Sequence, residues 1–455
     1  MPKKFILLLV TSLALLVPVS ANDVAGAAPD NFKPKAGPTF NSPLGSTTQR
    51  RAIFRKIMRS IDSTKRGSVI KIFTWNFATS EGATALLKAQ KRGVRVKLIM
   101  DGQNNTDEEP NATFRRLKSG LKSGNAKWPK NRSSWARTCK RSCRGAGGAS
   151  HSKFFMFSEV GSVNRVVMQG SANFTLASTN NQWNDVYTHT NNRPAWRFHN
   201  QVFNEAAKDK KLKVPFASAN LKNSDLIMFP LSGKGSYDPI VKLLNKVKCN
   251  GATNTPNGKT VIRIAPDVIR QDRGMRLARQ VRTLWNRGCD VKIGYTVMGI
   301  DVGRYLRDSS GRGAVPMKHL VQDFNGDKIF DNYFHLKVMS IVGKMGRDSA
   351  SYAVVNGSAN WSTSSARSDE NLGVYYSQNR TLRYQDHVDY WYENFPGTSS
   401  RSTSSRSSTS GAQEPESSSD SEQRLVFGSG ENAVYEDGTP AAPDGVDPFA
   451  KMNEN

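Results

Sequence analysis

The order of apolar and polar positions along the chain follows a strand and helix pattern that occurs twice. In the first half, helical spacing of apolar residues over 51–61 precedes a β-branched and aromatic run over 69–77, an Ala- and Leu-rich segment over 82–91 and a strand-like run over 94–100. This pattern predicts helix, strand, helix and strand in that order. Because two strands joined by a helix usually lie parallel in one sheet, the segment predicts a parallel sheet.

The second half repeats the order, with a strand predicted over 261–265, a helix over 275–285 and a strand over 291–295. Gly93 and Gly288, which precede the second strand of each half, are 195 residues apart. The repeat predicts an α/β fold of two homologous domains that pack with pseudo-two-fold symmetry and form a site at their interface. We expect the first domain to span 29–225 and the second to span 226–396.

The beginning of the chain has the features of an export signal. Lys3 and Lys4 precede the apolar run 5–17, and small residues follow it, which predicts a cleaved signal peptide and leader within 1–28. A membrane anchor is the alternative, but the apolar run is short and is followed directly by Pro18. We therefore expect a secreted protein.

Two further segments lack periodicity. Residues 22–48 are rich in Pro, Gly, Ala and Asn, and this composition predicts an exposed leader into the fold. The tail 397–455 is Ser-rich and then acidic, with almost no apolar clustering. Such a segment cannot bury enough apolar surface to offset its ordering entropy, so we expect disorder there and no catalytic part.

The charge of the chain is strongly positive and unevenly placed. The 455 residues carry a formal charge of +27, and ten acidic against four basic residues from Thr398 onward give the tail −6 and leave +33 for the rest. A field of this size attracts polyanions, either nucleic acid or an anionic membrane surface. A solvated basic face without a partner is the alternative.

One basic stretch also contains tryptophans. Between Arg115 and Arg144 there are eleven Lys and Arg residues and no acidic residue, with Trp128 and Trp135 among them. We expect a long insertion that forms one wall of a site entrance, where it would bind phosphates with aromatic stacking or contact lipid headgroups. A basic surface loop without substrate contact is the alternative.

The chain contains four cysteines, an even number that suits an oxidising compartment. Zinc ligation is less consistent with their spacing, because they do not form two C-x-x-C pairs. Four cysteines allow three pairings. We expect Cys139 to pair with Cys143, which is close in sequence, and Cys249 with Cys289, because of the equivalent helix and strand positions around them.

Two copies of a histidine-lysine motif carry the candidate chemistry. In each copy His and Lys are separated by one residue in an apolar run, so in a strand both side chains point to one face. Each copy continues with Gly-Ser-Ala-Asn, at 170–173 and 357–360, and then with an acidic residue. The candidate site residues are His151, Lys153, Asn173 and Asp185 in the first copy and His335, Lys337, Asn360 and Glu370 in the second.

The duplicated H-x-K and G-S-x-N motifs resemble those of the phospholipase D superfamily, and the general pattern extends over residues 50–395. One departure is that the family's Asp, five residues after the Lys, is Ser158 in the first copy and Val342 in the second. Glu159 and Asp348 are the nearby acidic candidates to replace it. The His and Gly of the two copies are 19 and 22 residues apart, which we interpret as longer hairpin loops.

The resemblance implies a two-histidine mechanism across the interface of the halves. His151 would be the nucleophile that forms a phosphohistidine, and His335 would protonate the leaving group and then activate the incoming water or alcohol. The lysines and asparagines of the motifs would hold phosphoryl oxygens. Asp185 would orient one imidazole ring and Glu370 the other.

The implied protein is a secreted phosphodiesterase that hydrolyses phospholipid headgroups. No metal or other cofactor is expected, because two lysines supply the positive charge that a metal ion supplies in other phosphoryl-transfer sites. The alternatives are a secreted nuclease with the same mechanism and a non-catalytic polyanion-binding protein. The expected partners are a phospholipid or other phosphodiester, nucleic acid, and an anionic membrane surface bound peripherally. Because one chain carries both motif copies, we expect a monomer.

Overall fold

The computed structural model describes residues 31–231, 238–326 and 329–396, and the backbone of 425–427 and 434–435. The chain has an α/β fold with two large mixed sheets. The expected signal at 1–28 lies outside the described residues, as does most of the tail. The described part of the tail is two short antiparallel strands, Leu425–Phe427 and Val434–Tyr435, which the expectation of disorder did not include. Within the described residues no helix is long and apolar enough to cross a bilayer.

The first half contains a seven-stranded sheet. Its strands are β1 (Gly37–Phe40), β2 (Val69–Thr74), β4 (Arg95–Asp101), β5 (Trp135–Cys139), β6 (Phe154–Val160), β7 (Val163–Gly170) and β10 (Asp185–His189). Three two-residue strands lie outside this sheet: β3 (Phe77–Ala78), β8 (Phe174–Thr175) and β9 (Gln182–Trp183). The helices are α1 (Thr47–Arg50), α2 (Ala52–Asp62), α3 (Ser80–Lys91), α4 (Ala112–Gly124), α5 (Ala177–Asn180) and α6 (Arg193–Ala206).

The second half contains a nine-stranded sheet. Its strands are β11 (Ala217–Leu221), β12 (Ser224–Met228), β13 (Val247–Lys248), β14 (Val261–Pro266), β16 (Asp290–Tyr295), β18 (Met317–His319), β21 (Lys337–Met345), β22 (Asp348–Gly357) and β23 (Asn371–Tyr375). Short strands outside it are β15 (Val268–Ile269), β17 (Val297–Met298), β19 (Val321–Gln322) and β20 (Asn332–Phe334). The helices are α7 (Pro239–Lys246), α8 (Gln271–Asn286), α9 (Ile300–Arg307), α10 (Thr363–Arg367) and α11 (Gln378–Asn394).

Six strands follow the same order in the two sheets. The order β10-β7-β6-β2-β4-β5 in the first sheet corresponds to β23-β22-β21-β14-β16-β18 in the second. The strand pairs expected to be parallel are parallel, β2 with β4 and β14 with β16. The α/β fold and the predicted helices at 51–61, 82–91 and 275–285 are therefore confirmed as α2, α3 and α8.

Burial of regularly spaced apolar side chains explains these helices. Helix α2 buries Ile53, Ile57 and Ile61 in the core that also contains the side chains of β2. Full burial of one such side chain contributes about 1.5–3 kcal/mol. Gly93 and Gly288 follow α3 and α8 with φ values of +90° and +93°, which glycine adopts without strain. The chain can therefore leave each helix and turn directly into the next strand.

Two boundaries differ from the sequence-based expectation. The leader predicted over 22–48 contains β1, which pairs antiparallel with β10. This strand is short, lies at the sheet edge and contains Pro38, so its strand signal is weak. Strand β12 pairs with β23 of the second sheet and β11 pairs with β12, so the expected domain boundary after residue 225 falls inside β12. The two sheets divide the chain earlier, between α6 and β11.

The hairpins that follow the histidine motifs have two-residue turns, so the expectation of longer hairpin loops is wrong. Gly161 and Gly346 begin these turns with φ values of +55° and +61°, and the extra residues of the second copy lengthen β21 and β22 instead. Glu159 forms an ion pair with Lys65 at 2.6 Å near one turn, and Asp348 is exposed at the other. Neither acidic candidate lies at the motif end of its hairpin.

The basic stretch 115–144 forms regular structure instead of the expected insertion. Most of α4 and all of β5 belong to it, and β5 pairs parallel with β4 at the sheet edge. Trp135 packs between the ring of Phe203, 5.8 Å away, and the guanidinium of Arg137, 4.0 Å away. This tryptophan therefore stabilises the sheet edge.

The predicted disulfide pairing is confirmed. Cys139 bonds to Cys143 with a Cα separation of 5.3 Å, and Cys249 bonds to Cys289 with a Cα separation of 4.5 Å. The first bond lies at the end of β5, shortly before the first histidine motif. The second connects the segment after β13 to the segment before β16.

Candidate active site

The two histidine-lysine pairs occupy equivalent places, at the start of the first strand of each hairpin. His151 and Lys153 precede β6, and His335 and Lys337 stand at the start of β21. In both copies the lysine Nζ donates to the carbonyl oxygen of the motif histidine at 2.7 Å. Both lysines are also buried. The shared backbone contact therefore holds the two ammonium groups in the same way beside the two imidazoles.

The ring of His151 is held by a carboxylate from the other half of the chain. Its Nδ1 lies 3.0 and 2.9 Å from the two carboxylate oxygens of Glu370. Ser358 Oγ and Ser365 Oγ donate to the same carboxylate, the latter at 2.6 Å. Burial lowers the pKa of His151, and the negative charge of Glu370 opposes that effect. Because Nδ1 donates to Glu370, Nε2 carries the free lone pair.

The ring of His335 is held by an amide instead. Its Nδ1 lies 2.8 Å from Asn184 Oδ1, which also accepts from Ser171 Oγ at 2.8 Å. The Asn184 amide nitrogen donates to Ser178 O at 3.1 Å, which fixes the orientation of the amide. Burial lowers the pKa of His335 well below 6.5, and the nearby positive charges of Lys337 and others add to the effect. This imidazole is therefore neutral at rest, with Nε2 available.

Asp185 does not contact a catalytic ring, so that part of the expectation is wrong. Its Oδ2 accepts from Asn356 Nδ2 at 2.6 Å and from Tyr384 Oη at 2.7 Å. The equivalent pairs are Asn184-Asp185 and Glu370-Asn371, because the backbone N–H of the second member donates to the motif serine at 3.0 Å in both copies.

Alternation of side chains along a strand explains the error. The first member of each pair faces a histidine and the second faces the opposite side. Aligning the two acidic residues, Asp185 and Glu370, therefore shifted the comparison by one position. The contact predicted for Glu370 is confirmed.

The motif glycines, Gly170 and Gly357, allow the pairs Asn184-Asp185 and Glu370-Asn371 to approach the histidines. A Cβ on Gly170 would lie 2.1 Å from Asp185 O, and a Cβ on Gly357 would lie 2.1 Å from Asn371 O. Gly357 also has a φ of +147°. A larger residue at either position would displace the strand that presents Asn184 or Glu370.

The two motifs share one electrostatic environment. The positive charges of His151 and Lys153 contribute to lowering the pKa of His335, and the charge of Lys337 contributes to lowering that of His151. Burial lowers the pKa of Lys153 well below 10.5, and Lys337 contributes to this as well. The imidazoles, 184 residues apart in the sequence, therefore lie close enough to influence each other.

Direct contacts between the halves fix this arrangement. The Lys153 N–H donates to Asn371 Oδ1 at 2.6 Å. The rings of Tyr187 and Tyr375 stack with centroids 3.8 Å apart, and β9 pairs parallel with β20 directly before His335. These contacts explain how motifs from different sheets meet at one place.

Asn173 and Asn360 follow the motif glycines and serines as the sequence indicates. The side-chain oxygens of both are buried and have no hydrogen-bond partner. Among the described residues, no hydrogen bond connects either side chain to a motif histidine or lysine. Within the described part of the chain, both amide oxygens are therefore unpartnered at the ends of their motifs.

The sequence-based candidates omitted Asp267, which lies directly after β14. Its Oδ2 accepts from Lys337 Nζ at 3.0 Å and lies 3.8 Å from His335 Nε2. The side chain is 7% exposed. A carboxylate at the carboxyl end of a parallel strand is a position where α/β proteins place ligand contacts, and this was the available signal.

Residues 57–206 match the family described as "Cardiolipin synthase, PLD-like domain". The matched segment extends from α2 to α6 and includes the first histidine-lysine motif. A search among curated proteins gives no match to the sequence.

Two solved structures share the fold over most of the chain. Polyphosphate kinase from Porphyromonas gingivalis has a TM-score of 0.52 at 13% identity over 79% of this chain, which spans only 50% of the kinase. Phosphatidylserine synthase from Haemophilus influenzae Rd KW20 has a TM-score of 0.51 at 13% identity, over 79% of this chain and 86% of the synthase. At these identities the similarity concerns the fold alone.

Proposed function

We propose that this chain, in which residues 57–206 match a PLD-like domain family, is a secreted, metal-independent phosphodiesterase that hydrolyses phospholipid headgroups through a phosphohistidine. The main support is the hydrogen bonding of the two imidazole rings. The Nδ1 atoms of His151 and His335 are both engaged, which leaves Nε2 of each ring free for chemistry at phosphorus. Two buried lysines beside the rings supply positive charge for the phosphoryl oxygens.

The reaction has two steps. In the first, the Nε2 lone pair of His151 attacks phosphorus, the bond to the headgroup oxygen breaks, and protonated His335 gives its Nε2 proton to that oxygen. In the second, neutral His335 takes a proton from water, whose oxygen attacks phosphorus as the bond to His151 breaks. Water is consumed, and the products are phosphatidic acid and the headgroup alcohol.

The different partners of the two rings favour this division of roles. A phosphohistidine with a proton on Nδ1 carries positive charge, which the carboxylate of Glu370 compensates. An imidazolium at His335 has a neutral amide, that of Asn184, at Nδ1, and its nearest carboxylate oxygen is that of Asp267, 3.8 Å from Nε2, so it is the stronger acid. His151 is therefore the better nucleophile and His335 the better proton donor.

His335 must acquire a proton before it can donate one. Burial and neighbouring positive charges lower its pKa in the free protein, so the ring is neutral without substrate. An anionic phosphodiester between the lysines adds negative charge beside the ring and raises this pKa. Proton uptake is therefore coupled to substrate binding. Lys153, Lys337, Asn173 and Asn360 would hold the phosphoryl oxygens.

Three considerations support lipid as the substrate and export as the location. The family description and the phosphatidylserine synthase both have names from phospholipid metabolism. The large positive charge favours binding to an anionic membrane surface. The two disulfides suit an oxidising compartment. We further propose that the protein acts as a monomer, because one chain provides both motifs.

A nuclease is the second candidate, since the same positive charge also favours nucleic acid. The test is to incubate the purified protein, with EDTA, with phosphatidylcholine vesicles and separately with single- and double-stranded DNA. The proposal predicts choline and phosphatidic acid from the vesicles and intact DNA. His151→Ala should abolish both the product and a trapped phosphoenzyme.

The leaving group distinguishes the role of His335. His335→Ala should slow release of choline strongly and release of nitrophenol little, because nitrophenol departs without a proton. Cleavage of DNA without lipid turnover would replace the lipid assignment by the nuclease. Binding without cleavage of either substrate would favour the polyanion-binding protein.

A further inference from the structure

The two halves of the site differ at one equivalent position. Trp75 follows β2 and Asp267 follows β14. Their carbonyl oxygens accept equivalent backbone N–H bonds, from Asp101 at 3.2 Å and from Thr296 at 3.1 Å. Asp267 lies beside His335, whereas the ring of Trp75 lies edge-on to His151, with centroids 5.7 Å apart. The duplication therefore places an aromatic ring on one side of the site and a carboxylate on the other.

Asp267 is only partly satisfied by the protein. Its Oδ2 accepts from Lys337 Nζ at 3.0 Å, but its Oδ1 is buried and has no hydrogen-bond partner among the described residues. Arg270 also acts on it through its charge. Lys337 is one of the groups proposed to hold the phosphoryl oxygens. When a phosphate shares this ammonium group, the carboxylate loses part of the compensation that Lys337 gives it, and a further positive group stabilises it.

In the proposed mechanism, the leaving group departs on the side of Asp267. His151 attacks phosphorus from one side and the leaving oxygen departs on the other, where His335 Nε2 gives it a proton. Asp267 Oδ2 is 3.8 Å from this Nε2. A positive group a few bonds beyond the leaving oxygen would therefore reach the carboxylate.

We propose that Asp267 binds the positive charge of the leaving alcohol, so that the site selects phosphodiesters of cationic amino alcohols. This inference rests on the proposed lipid hydrolysis. It is a statement about the substrate class, since the phosphate and the ammonium group of one zwitterionic headgroup meet Lys337 and Asp267 together. The water that attacks in the second step enters through the space that the leaving alcohol vacates. A free amino alcohol also binds in this space and therefore competes there.

The surroundings of Asp267 favour an organic cation over a metal ion. Among the described residues, no cluster of three His, Cys, Asp or Glu ligand atoms includes Asp267. An ammonium group needs only the free carboxylate oxygen. Nucleic acid fits less well, because its leaving group carries the next phosphate, and that negative charge would be repelled by Asp267.

The test compares two lipids with identical acyl chains, phosphatidylcholine and phosphatidylglycerol, in neutral detergent micelles. Their leaving groups are a cation and a neutral alcohol. For Asp267→Asn we expect the loss of the charge–charge attraction to lower the ratio of kcat/KM for choline lipid to that for glycerol lipid roughly tenfold to a hundredfold. Asp348→Asn, at the exposed hairpin turn, removes the same charge far from the site and should leave the ratio unchanged.

Inhibition provides a second readout. Choline chloride should inhibit the wild-type protein more strongly than glycerol in sodium chloride of equal ionic strength, and Asp267→Asn should remove the difference. If this variant does not fold, the wild-type comparison decides, and equal inhibition would overturn the inference.

The outcomes separate the two proposals. An equal loss on both lipids would show that Asp267 only positions Lys337, and the inference would fail while lipid hydrolysis stands. Hydrolysis of neither lipid by the wild-type protein would overturn the proposed function itself, and the inference with it.

Discussion

Replacing Glu370 with glutamine should slow the formation of the phosphohistidine, because the carboxylate compensates the positive charge of this intermediate. Glu370 is 1% exposed, and its carboxylate lies 3.0 and 2.9 Å from His151 Nδ1. A hydrogen bond to a charged group contributes about 1.5–3 kcal/mol. If this contribution is made mainly in the transition state, kcat should fall roughly tenfold to 150-fold.

The assay is rapid-mixing kinetics with a nitrophenyl phosphodiester, whose burst reports formation of the covalent intermediate. Glu370→Gln should reduce the rate of the burst. The matched control is Glu159→Gln, which makes the same change at a partly exposed ion pair with Lys65. Surface pairs of this kind contribute about 0–1 kcal/mol, and this one is remote from the motif, so the burst should persist unchanged.

The reciprocal substitution changes the partner of the second histidine, His335. Asn184→Asp gives His335 a carboxylate and should raise its pKa, which makes it a weaker acid. Release of choline should slow more than release of nitrophenol. A normal burst in Glu370→Gln, in protein with unchanged melting temperature, would refute the assignment of charge compensation to Glu370.

Three further predictions concern stability. Gly357→Ala would place a Cβ 2.1 Å from a carbonyl oxygen of β23 and should destabilise the protein by about 1–3 kcal/mol in urea unfolding, whereas Gly147→Ala, with nothing within 4 Å, should not. Burial lowers the pKa of His199 to about 4 from 6.5, so below pH 6.5 the unfolded state binds a proton that the folded state does not. His199→Leu should reduce the slope of stability against pH between 6.5 and 4 by about 1.4 kcal/mol per unit, and an unchanged slope would contradict this burial effect. Removing the disulfide by Cys249→Ala with Cys289→Ala, which opens a 40-residue loop, should cost about 4 kcal/mol by calorimetry, and a negligible loss would contradict the loop-entropy estimate.

The sequence by itself determined the secondary structure of the core and the repeat. Periodic apolar residues form α2 and α8 because one face of each helix is buried, and the runs at 69–77 and 261–265 form strands because they are β-branched and apolar. These are local properties, so they can be read from neighbouring residues. The disulfide pairing also followed from closeness along the chain and from the repeat.

The short edge strand β1 shows where local signals are insufficient. Residues 37–40 contain one proline in four and little periodicity, yet they form a strand because β10 offers free backbone groups. The length of β21 and β22 likewise depends on pairing between the strands. Such elements are decided by the partner and not by their own composition.

Only the tertiary structure decided which groups act on each histidine. Glu370 is 219 residues from His151, and Asn184 is 151 residues from His335. The sequence showed that acidic residues follow each motif, but which member of each pair faces the ring depends on strand register, and a shift of one residue reverses the face. Asp267 meets Lys337 across 70 residues because antiparallel pairing places the end of β14 beside the start of β21. The sequence therefore specifies which residue types are available at this site, whereas the packing of the two sheets determines which of those residues contact one another.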